Sequence, residues 1–515
     1  GQGSADQVLT SDGTDISWED ASGGATDLDG LSDCKVGGTD FTGSMILGHE
    51  TTGTLDAATY NTAVGYASLD AITSGDHNTA MGAGALGKVN GGNNNVAVGS
   101  GMFENITTAS YNVGVGTHSN ITTGANNTTI GYYSMQAATT TGDHNTAVGS
   151  TAGANIADGD YNTLIGAGSA AHMRSGDGNT FVGANTGHGG VEDFAYNTAV
   201  GYQAMYSGAK TDATVNNVAI GRDALIANTT AANNTAVGSY TLDANTTGTN
   251  NVAVGYSACG ASTTTHSNTG IGYQALLVST GSNNTAVGSD VLDACTTGNY
   301  NTGVGSQALT ASSTGAQNTA VGNSALTAAS TAHSNTALGY QALQAVTTGG
   351  NNIGIGTDAG IASSPGGAVT TGTNQVCIGD ENITHAHIQV DWTIASDARD
   401  KTDVEDLSIG LDFVKQLKPK TYRWDKRSLY SKDQNIEPDG SHKADQLDVG
   451  FLAQDVDVLE KSLGFNDTDK KNLISSLSED GQMYGLKYSK FVPMLVNAVQ
   501  ELSAEVEELK AKLEE

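Results

Sequence analysis

The chain has 515 residues, and its 54 Asp and Glu residues outnumber its 22 Lys and Arg residues, which gives a formal net charge of −32. Only five basic residues precede residue 396: Lys35, Lys88, Arg174, Lys210 and Arg222. An acidic surface repels the phosphate backbone, which argues against a nucleic-acid-binding protein. No apolar run approaches the length of a membrane span, so we expect no membrane insertion.

Residues 1–43 are predicted to form a linker. They include the stretch QVLTSDGTDISWED, which resembles the short hairpins that link modules of phage fibres. The resemblance implies that this segment joins the rest of the chain to fibre or baseplate proteins upstream.

Residues 44–379 repeat a short pattern, most clearly seen as Asn-Thr-Ala-Val-Gly. Anchoring glycines run from Gly48 to Gly379, and most steps between them are 17 residues long. Longer steps, such as Gly201 to Gly221, indicate loop insertions. A fixed short period predicts a solenoid in which each unit is stable only against its neighbours.

The repeat columns predict the geometry of one unit. The residue before the glycine is nearly always Val, Ile, Leu or Met, and the fourth residue after it is usually apolar, as at Leu69 and Leu86. Runs such as Thr-Thr-Gly at 122–124 are typical of turns. We therefore expect two short strands per unit, stacked at about 4.8 Å, with the recurring Asn forming a ladder between units.

Two or three apolar residues in each unit are too few, on this interpretation, to close a core within one chain, and a core shared by three chains resolves the shortage. The motif is similar to the Asn-Ser-Val-Ala-Ile-Gly repeats of trimeric bacterial adhesin heads, which form a parallel β-roll. The predicted fold is therefore mainly β, with a trimeric β-roll or solenoid shaft of about 17-residue repeats.

Several tyrosines follow repeat glycines and are candidates for receptor binding: Tyr66, Tyr132, Tyr202, Tyr256, Tyr273 and Tyr340. Aromatic rings in a row can stack on sugars, which would suit a cell-surface glycan. They can equally be solvent-edge residues of strands, and the sequence leaves both interpretations open.

Residues 380–395 are predicted to form a junction strand that includes the sequence ITHAHIQVDW. His385 and His387 are two positions apart, so a strand would place both imidazoles on one face. In a trimer, six imidazoles on the axis could bind a transition metal, an arrangement that resembles the tips of phage fibres and spikes. Two exposed or packed histidines with no metal are the alternative, and no other cofactor is expected.

The sequence Ser396-Asp397-Ala398-Arg399-Asp400-Lys401 marks the end of the repeats. A serine hydroxyl is a weak nucleophile until a base removes its proton, and a lysine kept neutral by burial can be that base. The spacing alone is also compatible with a turn residue and a surface charge. The sequence that follows decides between these interpretations.

Four blocks follow in order: SDARDKTDV (396–404), LDFVKQLKPKTYRW (411–424), GFLAQDV (450–456) and LKYSKFVPMLVNAVQEL (486–502). With them, residues 396–515 resemble the C-terminal intramolecular chaperone of phage endosialidases, a family of self-cleaving serine peptidases. The resemblance implies a small α+β domain that helps three chains fold together and then cuts itself off. The polar stretch 428–446 departs from the pattern and is interpreted as a loop insertion.

The same resemblance implies roles for individual residues. Ser396 corresponds to the nucleophile, Lys401 to the general base, and Ala395–Ser396 to the bond that is cut. Asp397 and Arg399 match the motif as residues that shape the site.

The tail of about residues 490–515 is predicted to form a coiled coil. Its apolar residues alternate steps of four and three, as a heptad requires: Leu495, Val499, Leu502, Val506, Leu509 and Leu513. A lone amphipathic helix is the alternative. The trimer is implied by the family resemblance and the repeats rather than by the heptad.

The sequence thus predicts a homotrimeric phage tail fibre, assembled in the host cytoplasm and exposed on the virion, that binds a host glycan or protein receptor. Its chemistry would be one autoproteolytic cut per chain. The alternatives are a bacterial trimeric surface adhesin with the same chaperone, a fibre that keeps its chaperone uncut as a cap, and a trans-acting serine peptidase.

Overall fold

The computed structural model describes residues 7–11, 16–20, 34–48, 55–189, 194–207, 210–211, 213–389, 392–430, 436–465, 472–478 and 481–514. The chain divides into two compact units, Gly1–Asn283 and Asn284–Glu515. In neither unit do the described helices include one that is long and apolar enough to cross a membrane.

The first unit begins with an antiparallel hairpin of β1 (Gln7–Ser11) and β2 (Ile16–Asp20), within the segment predicted as a hairpin linker. Next, β3 (Cys34–Val36) pairs antiparallel with β4 (Met45–Leu47). From β4 onward every pairing described in this unit is parallel, and each strand lies beside the strand of the next repeat. These strands are β5 (Thr62–Val64), β6 (Thr79–Met81), β7 (Val96–Val98), β8 (Val113–Thr117), β9 (Thr128–Tyr132), β10 (Thr146–Val148), β11 (Thr163–Ile165), β12 (Thr180–Val182), β13 (Thr198–Val200), β14 (Val218–Ile220), β15 (Thr235–Val237), β16 (Val252–Val254) and β17 (Thr269–Ile271).

The predicted parallel solenoid of 17-residue repeats is confirmed, but the prediction of two strands per unit is wrong. Each turn has one short strand, and the apolar residue four positions after the glycine lies in a left-handed turn, with φ of 54° at Leu69 and 52° at Leu86. Where a second strand was expected, successive turns are joined by backbone hydrogen bonds outside any strand. The Leu69 N–H, for example, donates to the Ala85 carbonyl at 3.1 Å. The repeat glycine ends the strand because its φ is positive and a Cβ on Gly65 would lie 2.8 Å from the carbonyl of Gly82.

The core of each turn is closed within a single chain, so the expectation that one chain has too few apolar residues is wrong. The middle residue of each strand from β4 to β22 is buried and is most often alanine, as at Ala63 and Ala97, and turn residues such as Leu69 fill the rest. Asparagine completes the interior as the predicted ladder. The Asn78 backbone N–H donates to Asn61 Oδ1 at 2.9 Å, and Asn78 Nδ2 donates to the Gly92 carbonyl at 2.8 Å. Buried polar groups that are fully hydrogen-bonded can occupy a core that would otherwise need apolar side chains.

The second unit contains six further parallel strands of the same kind: β18 (Thr285–Val287), β19 (Thr302–Val304), β20 (Thr319–Val321), β21 (Thr336–Leu338), β22 (Ile353–Ile355) and β23 (Val376–Ile378). After β23, the junction strand predicted over 380–395 does not form in the described residues of that segment. A strand needs a neighbour to accept and donate its backbone hydrogen bonds, and none of the described strands pairs with these residues.

A small α+β domain ends the second unit, as predicted. Its elements are α1 (Leu411–Gln416), β24 (Lys420–Tyr422), β25 (Asp448–Gly450), α2 (Ala453–Ser462), β26 (Ser475–Leu477), β27 (Tyr484–Leu486) and α3 (Phe491–Glu514). β24 pairs with β25 and β26 with β27, both antiparallel. The core is a compact apolar cluster that joins all three helices: Ile409, Phe413, Val456, Ile474, Phe491 and Met494. The buried Glu460 carboxylate fixes the start of β26 by accepting from Ile474 N (2.7 Å) and Ser475 N (2.9 Å).

Candidate active site

A short 3-10 turn, Ala398–Asp400, lies between the two residues predicted to form the dyad. Asp397 caps it, because its Oδ1 accepts from Arg399 N at 2.9 Å. The Arg399 guanidinium also binds the same carboxylate, with Nη2 2.6 Å from Oδ2. The backbone N–H of Lys401 then donates to the Ala398 carbonyl at 3.3 Å, so the chain returns toward Ser396.

This turn brings the predicted nucleophile and base together. Lys401 Nζ donates to Ser396 Oγ at 2.7 Å and to the Ser396 carbonyl at 3.3 Å. A serine and an amine within hydrogen-bonding distance meet the geometric condition for proton transfer during nucleophilic attack. The bond between Ala395 and Ser396 is adjacent to this hydroxyl along the chain.

The ion pair of Asp397 and Arg399 holds the turn. Hydrogen bonds from Arg399 lower the pKa of the Asp397 carboxyl, and the same carboxylate raises the pKa of Arg399. Both groups therefore stay ionised near neutral pH. In the structure they contact each other and not Ser396 Oγ, which agrees with the shaping role that the resemblance implies.

The pair lies on an exposed segment of the single chain. Ser396 and Lys401 are both exposed, and large apolar side chains nearby face solvent, with Trp392 74%, Ile394 73% and Val404 77% exposed. An amine acts as a general base in its neutral form, which burial favours. The isolated chain supplies the geometry of the dyad but not the burial that would activate it.

Two residues of α3 hold the segment that follows the dyad, and the sequence analysis missed them. Asn497 Nδ2 donates to the carbonyls of Leu407 (3.0 Å) and Ile409 (3.2 Å), while Glu501 Oε2 accepts from Leu411 N at 2.6 Å. The signal was available in the sequence: Asn497 and Glu501 are one helical turn apart in the first half of α3, where most other residues up to Leu502 are apolar. Their contacts tie the start of the domain to α3.

His385 and His387 lie upstream of the dyad, exposed and outside any strand. Their rings stack, with centroids 5.8 Å apart and an interplanar angle of 5°, so both imidazoles lie on the same side of the chain. Within the described residues of a single chain, no group of three or more His, Cys, Asp or Glu side chains could hold a metal ion. The pair alone gives two ligands, fewer than a closed transition-metal site needs.

The apolar seam of α3 is exposed to solvent in the single chain. Its heptad residues include Leu495 and Leu502, each 47% exposed, Val499 at 64% and Leu509 at 59%. Leu495 and Val499 form an open apolar surface on this helix together with Val492 and Val496. A helix that leaves its apolar stripe uncovered has the surface expected of a coiled-coil strand without its partners.

In a comparison with known protein families, residues 396–463 match the chaperone of endosialidase. The comparison with curated proteins found no match, and neither did the comparison with solved structures. The match covers the dyad, α1, β24, β25 and α2, and the chain therefore carries an endosialidase-type chaperone segment after its β-solenoid. That family implies trimeric assembly, so the two parts together indicate a trimeric fibre with a chaperone domain.

Proposed function

We propose that this chain is one subunit of a homotrimeric phage tail fibre whose C-terminal domain directs trimer folding and then cuts itself off between Ala395 and Ser396. The observation that carries the proposal is the 2.7 Å contact between Lys401 Nζ and Ser396 Oγ, inside the segment that matches the chaperone family. The solenoid would form the shaft and the chaperone a temporary cap. Contact with a host glycan or protein receptor is the function proposed for the shaft.

The proposed reaction begins with attack of Ser396 Oγ on the Ala395 carbonyl carbon, while neutral Lys401 takes the hydroxyl proton. The Ala395–Ser396 amide bond breaks, Lys401 returns the proton to the leaving Ser396 nitrogen, and an ester joins Ala395 to Ser396 Oγ. Water then hydrolyses the ester to give the Ala395 carboxylate and a chain that begins at Ser396. No cofactor or second substrate except water is needed.

Trimer formation would supply the burial that the single chain lacks. The apolar side chains around the dyad, among them Trp392 and Ile394, are exposed in one chain and are available for contact with neighbouring copies. Covering them would move Lys401 out of water and favour its neutral form. Cleavage would then follow assembly. Because the separated chaperone domain no longer contributes to the folding equilibrium of the fibre, the cut fibre would persist through its slow rate of unfolding.

The proposed mechanism is tested with Ser396→Ala and Lys401→Arg in the full chain, with Lys418→Ala as the matched control. We expect fragments 1–395 and 396–515 from the parent and the control, and an intact chain from both dyad variants. Hydroxylamine added during cleavage should trap the ester as a hydroxamate on Ala395. Cleavage that continues in Lys401→Arg would contradict the proposed base, because a guanidinium cannot accept the proton.

A metal on the trimer axis is a separate proposal that depends on His385 and His387. Their parallel stacking on one side of the chain would let three copies present six imidazoles to one ion, which suits a first-row transition metal. Elemental analysis of purified trimers should find about one metal ion per trimer, and none in a His385→Ala, His387→Ala double variant. Absence of metal from the unmodified trimer would eliminate the site.

A further inference from the structure

One face of the solenoid sheet is formed by two columns of outward side chains. In each three-residue strand from β4 to β22 the middle residue is buried and the first and third point outward, as in β11, where Leu164 is buried and Ile165 is exposed. The register of the parallel strands places the third residue of each strand beside the third residue of its neighbours. Ile165, for example, lies beside Val148 and Val182. The outward residues therefore form continuous columns across the turns.

The column on the glycine side is apolar throughout. Its residue is Val, Ile, Leu or Met in every strand from β4 to β17, and again in every strand from β18 to β23. Several members are about two-fifths exposed although the same column covers them above and below, among them Val115 (41%), Ile130 (40%) and Ile165 (40%). Single exposed apolar residues are ordinary, but a continuous apolar column of this length marks a contact surface.

The sheet face also carries no charge. None of the strands from β4 to β23 contains Asp, Glu, Lys or Arg, in a chain whose net charge is −32. The acidic side chains of the array lie on the turns instead. Asp143, Asp160 and Asp177, for example, accept backbone hydrogen bonds from the preceding turn at 2.7–2.8 Å. Every copy of the chain is acidic, so surfaces that carry its carboxylates repel the same surfaces of another copy. An uncharged face avoids this repulsion.

The size of the face fits a stable protein interface. From β4 to β17 it is on the order of 60 Å long and ~12 Å wide, given about 4.8 Å per strand and two side-chain columns. That is on the order of 700 Å² per chain, close to the ~800 Å² per partner that a standard interface buries. The second column, mostly threonine, is β-branched and uncharged, so it can lie at the margin of the same contact.

We propose that this face, the outward side of the sheet strands, is the surface along which the three shaft chains pack against one another. The inference rests on the proposed trimer and adds to it the surface that the copies share. Each chain keeps its own alanine, leucine and asparagine core, and a second, intermolecular apolar layer forms from the glycine-side column. The contact resembles the exposed α3 seam in composition, so both parts of the chain would meet their copies through uncharged apolar rows.

The test is the reactivity of a cysteine placed on the face of the full chain. Ile165→Cys lies on the face, and Asp158→Cys lies on the exposed turn of the same repeat as its matched control. Both sites are exposed in an isolated chain, so a chain whose face is free should label with maleimide at similar rates at the two sites. The proposal predicts labelling at least ten-fold slower at Ile165→Cys, with the parent chain as the baseline for its native cysteines.

Native mass measured on the same samples separates this proposal from the proposed function. A trimer with slow labelling at Ile165→Cys and fast labelling at Asp158→Cys supports the shared face. A trimer with equal rates overturns the face but leaves the trimeric fibre intact. A monomer overturns both. Ile220→Cys, 39% exposed on the same column, replaces Ile165→Cys if that variant does not fold, and the same outcomes apply.

Discussion

The asparagine ladder is the feature of the fold whose removal has the most direct consequence. Asn162 is buried, its Nδ2 donates to the Gly176 carbonyl at 2.8 Å, and its Oδ1 accepts from Asn179 N at 2.9 Å. Asn162→Ala removes these two hydrogen bonds, and also those that join the Asn162 amide to Asn145 Oδ1 (3.0 Å) and Asn179 Nδ2 (3.1 Å), while leaving the backbone of its own turn in place. The variant therefore leaves the Asn179 N–H and the buried Gly176 carbonyl without the amide that paired with them.

The expected cost follows from those two groups. A buried donor or acceptor that loses its partner costs about 1–3 kcal/mol, so we expect Asn162→Ala to destabilise the surrounding turns by about 3 kcal/mol. In a repeat array each turn depends on its neighbours, and the loss is local rather than global. Because about 1.4 kcal/mol is a factor of ten, amide exchange at Asn179 and in the adjoining strands should accelerate by ~100-fold.

Hydrogen exchange by mass spectrometry on the full chain measures this effect. Asp158→Ala, an exposed change in the same repeat, is the matched control and should alter stability by less than about 0.5 kcal/mol. If exchange at Asn179 rose less than three-fold in Asn162→Ala, the ladder would not be a structural requirement, and the core would have to be held by its small apolar residues alone.

Three further predictions concern other parts of the chain. Burial lowers the pKa of Lys210 to about 7, so the unfolded chain binds a proton that the folded chain has released between pH 7 and 10.5. The free energy of unfolding should rise with pH across that window, by at most about 1.4 kcal/mol per unit, and denaturant unfolding should show the slope lost in Lys210→Met but kept in the exposed Lys88→Met. Arg399→Ala releases the turn that brings the dyad together and should slow the appearance of fragments about ten-fold; an unchanged time course would remove the turn from the mechanism. Leu502→Asp combined with Val506→Asp places charges on the α3 seam and should reduce the native mass of the full chain from three copies to one, whereas a persistent trimer would show that the seam is not required.

The period of the repeats could be predicted from sequence because it depends on local spacing, and the pairing of Ser396 with Lys401 could be expected because the blocks that follow resemble a known family. A 17-residue period fixes which residues stack, and a five-residue separation across a turn capped by Asp397 fixes the contact. The heptad of α3 is local in the same sense, and its helix is present as predicted. These features need no knowledge of which distant residues meet.

The sequence-based predictions were wrong or incomplete for residues whose hydrogen-bonding partners cannot be inferred from the repeat pattern. Counting Asn as a polar residue hid its place in the core, since Asn78 is buried only because the adjoining turns satisfy its amide. Residues 380–395 were predicted to form a strand, but a strand forms only where a partner exists. Asn497 and Glu501 were missed because their partners lie about 90 residues away in the chain.

The most direct test of the account is the intact mass of the freshly expressed full chain under denaturing conditions. The account predicts two species, one that ends at Ala395 and one that begins at Ser396, with the cut chain absent from Ser396→Ala. A single species of full mass from the unmodified chain would contradict self-cleavage. The serine–lysine pair would then be part of a cap that the fibre retains.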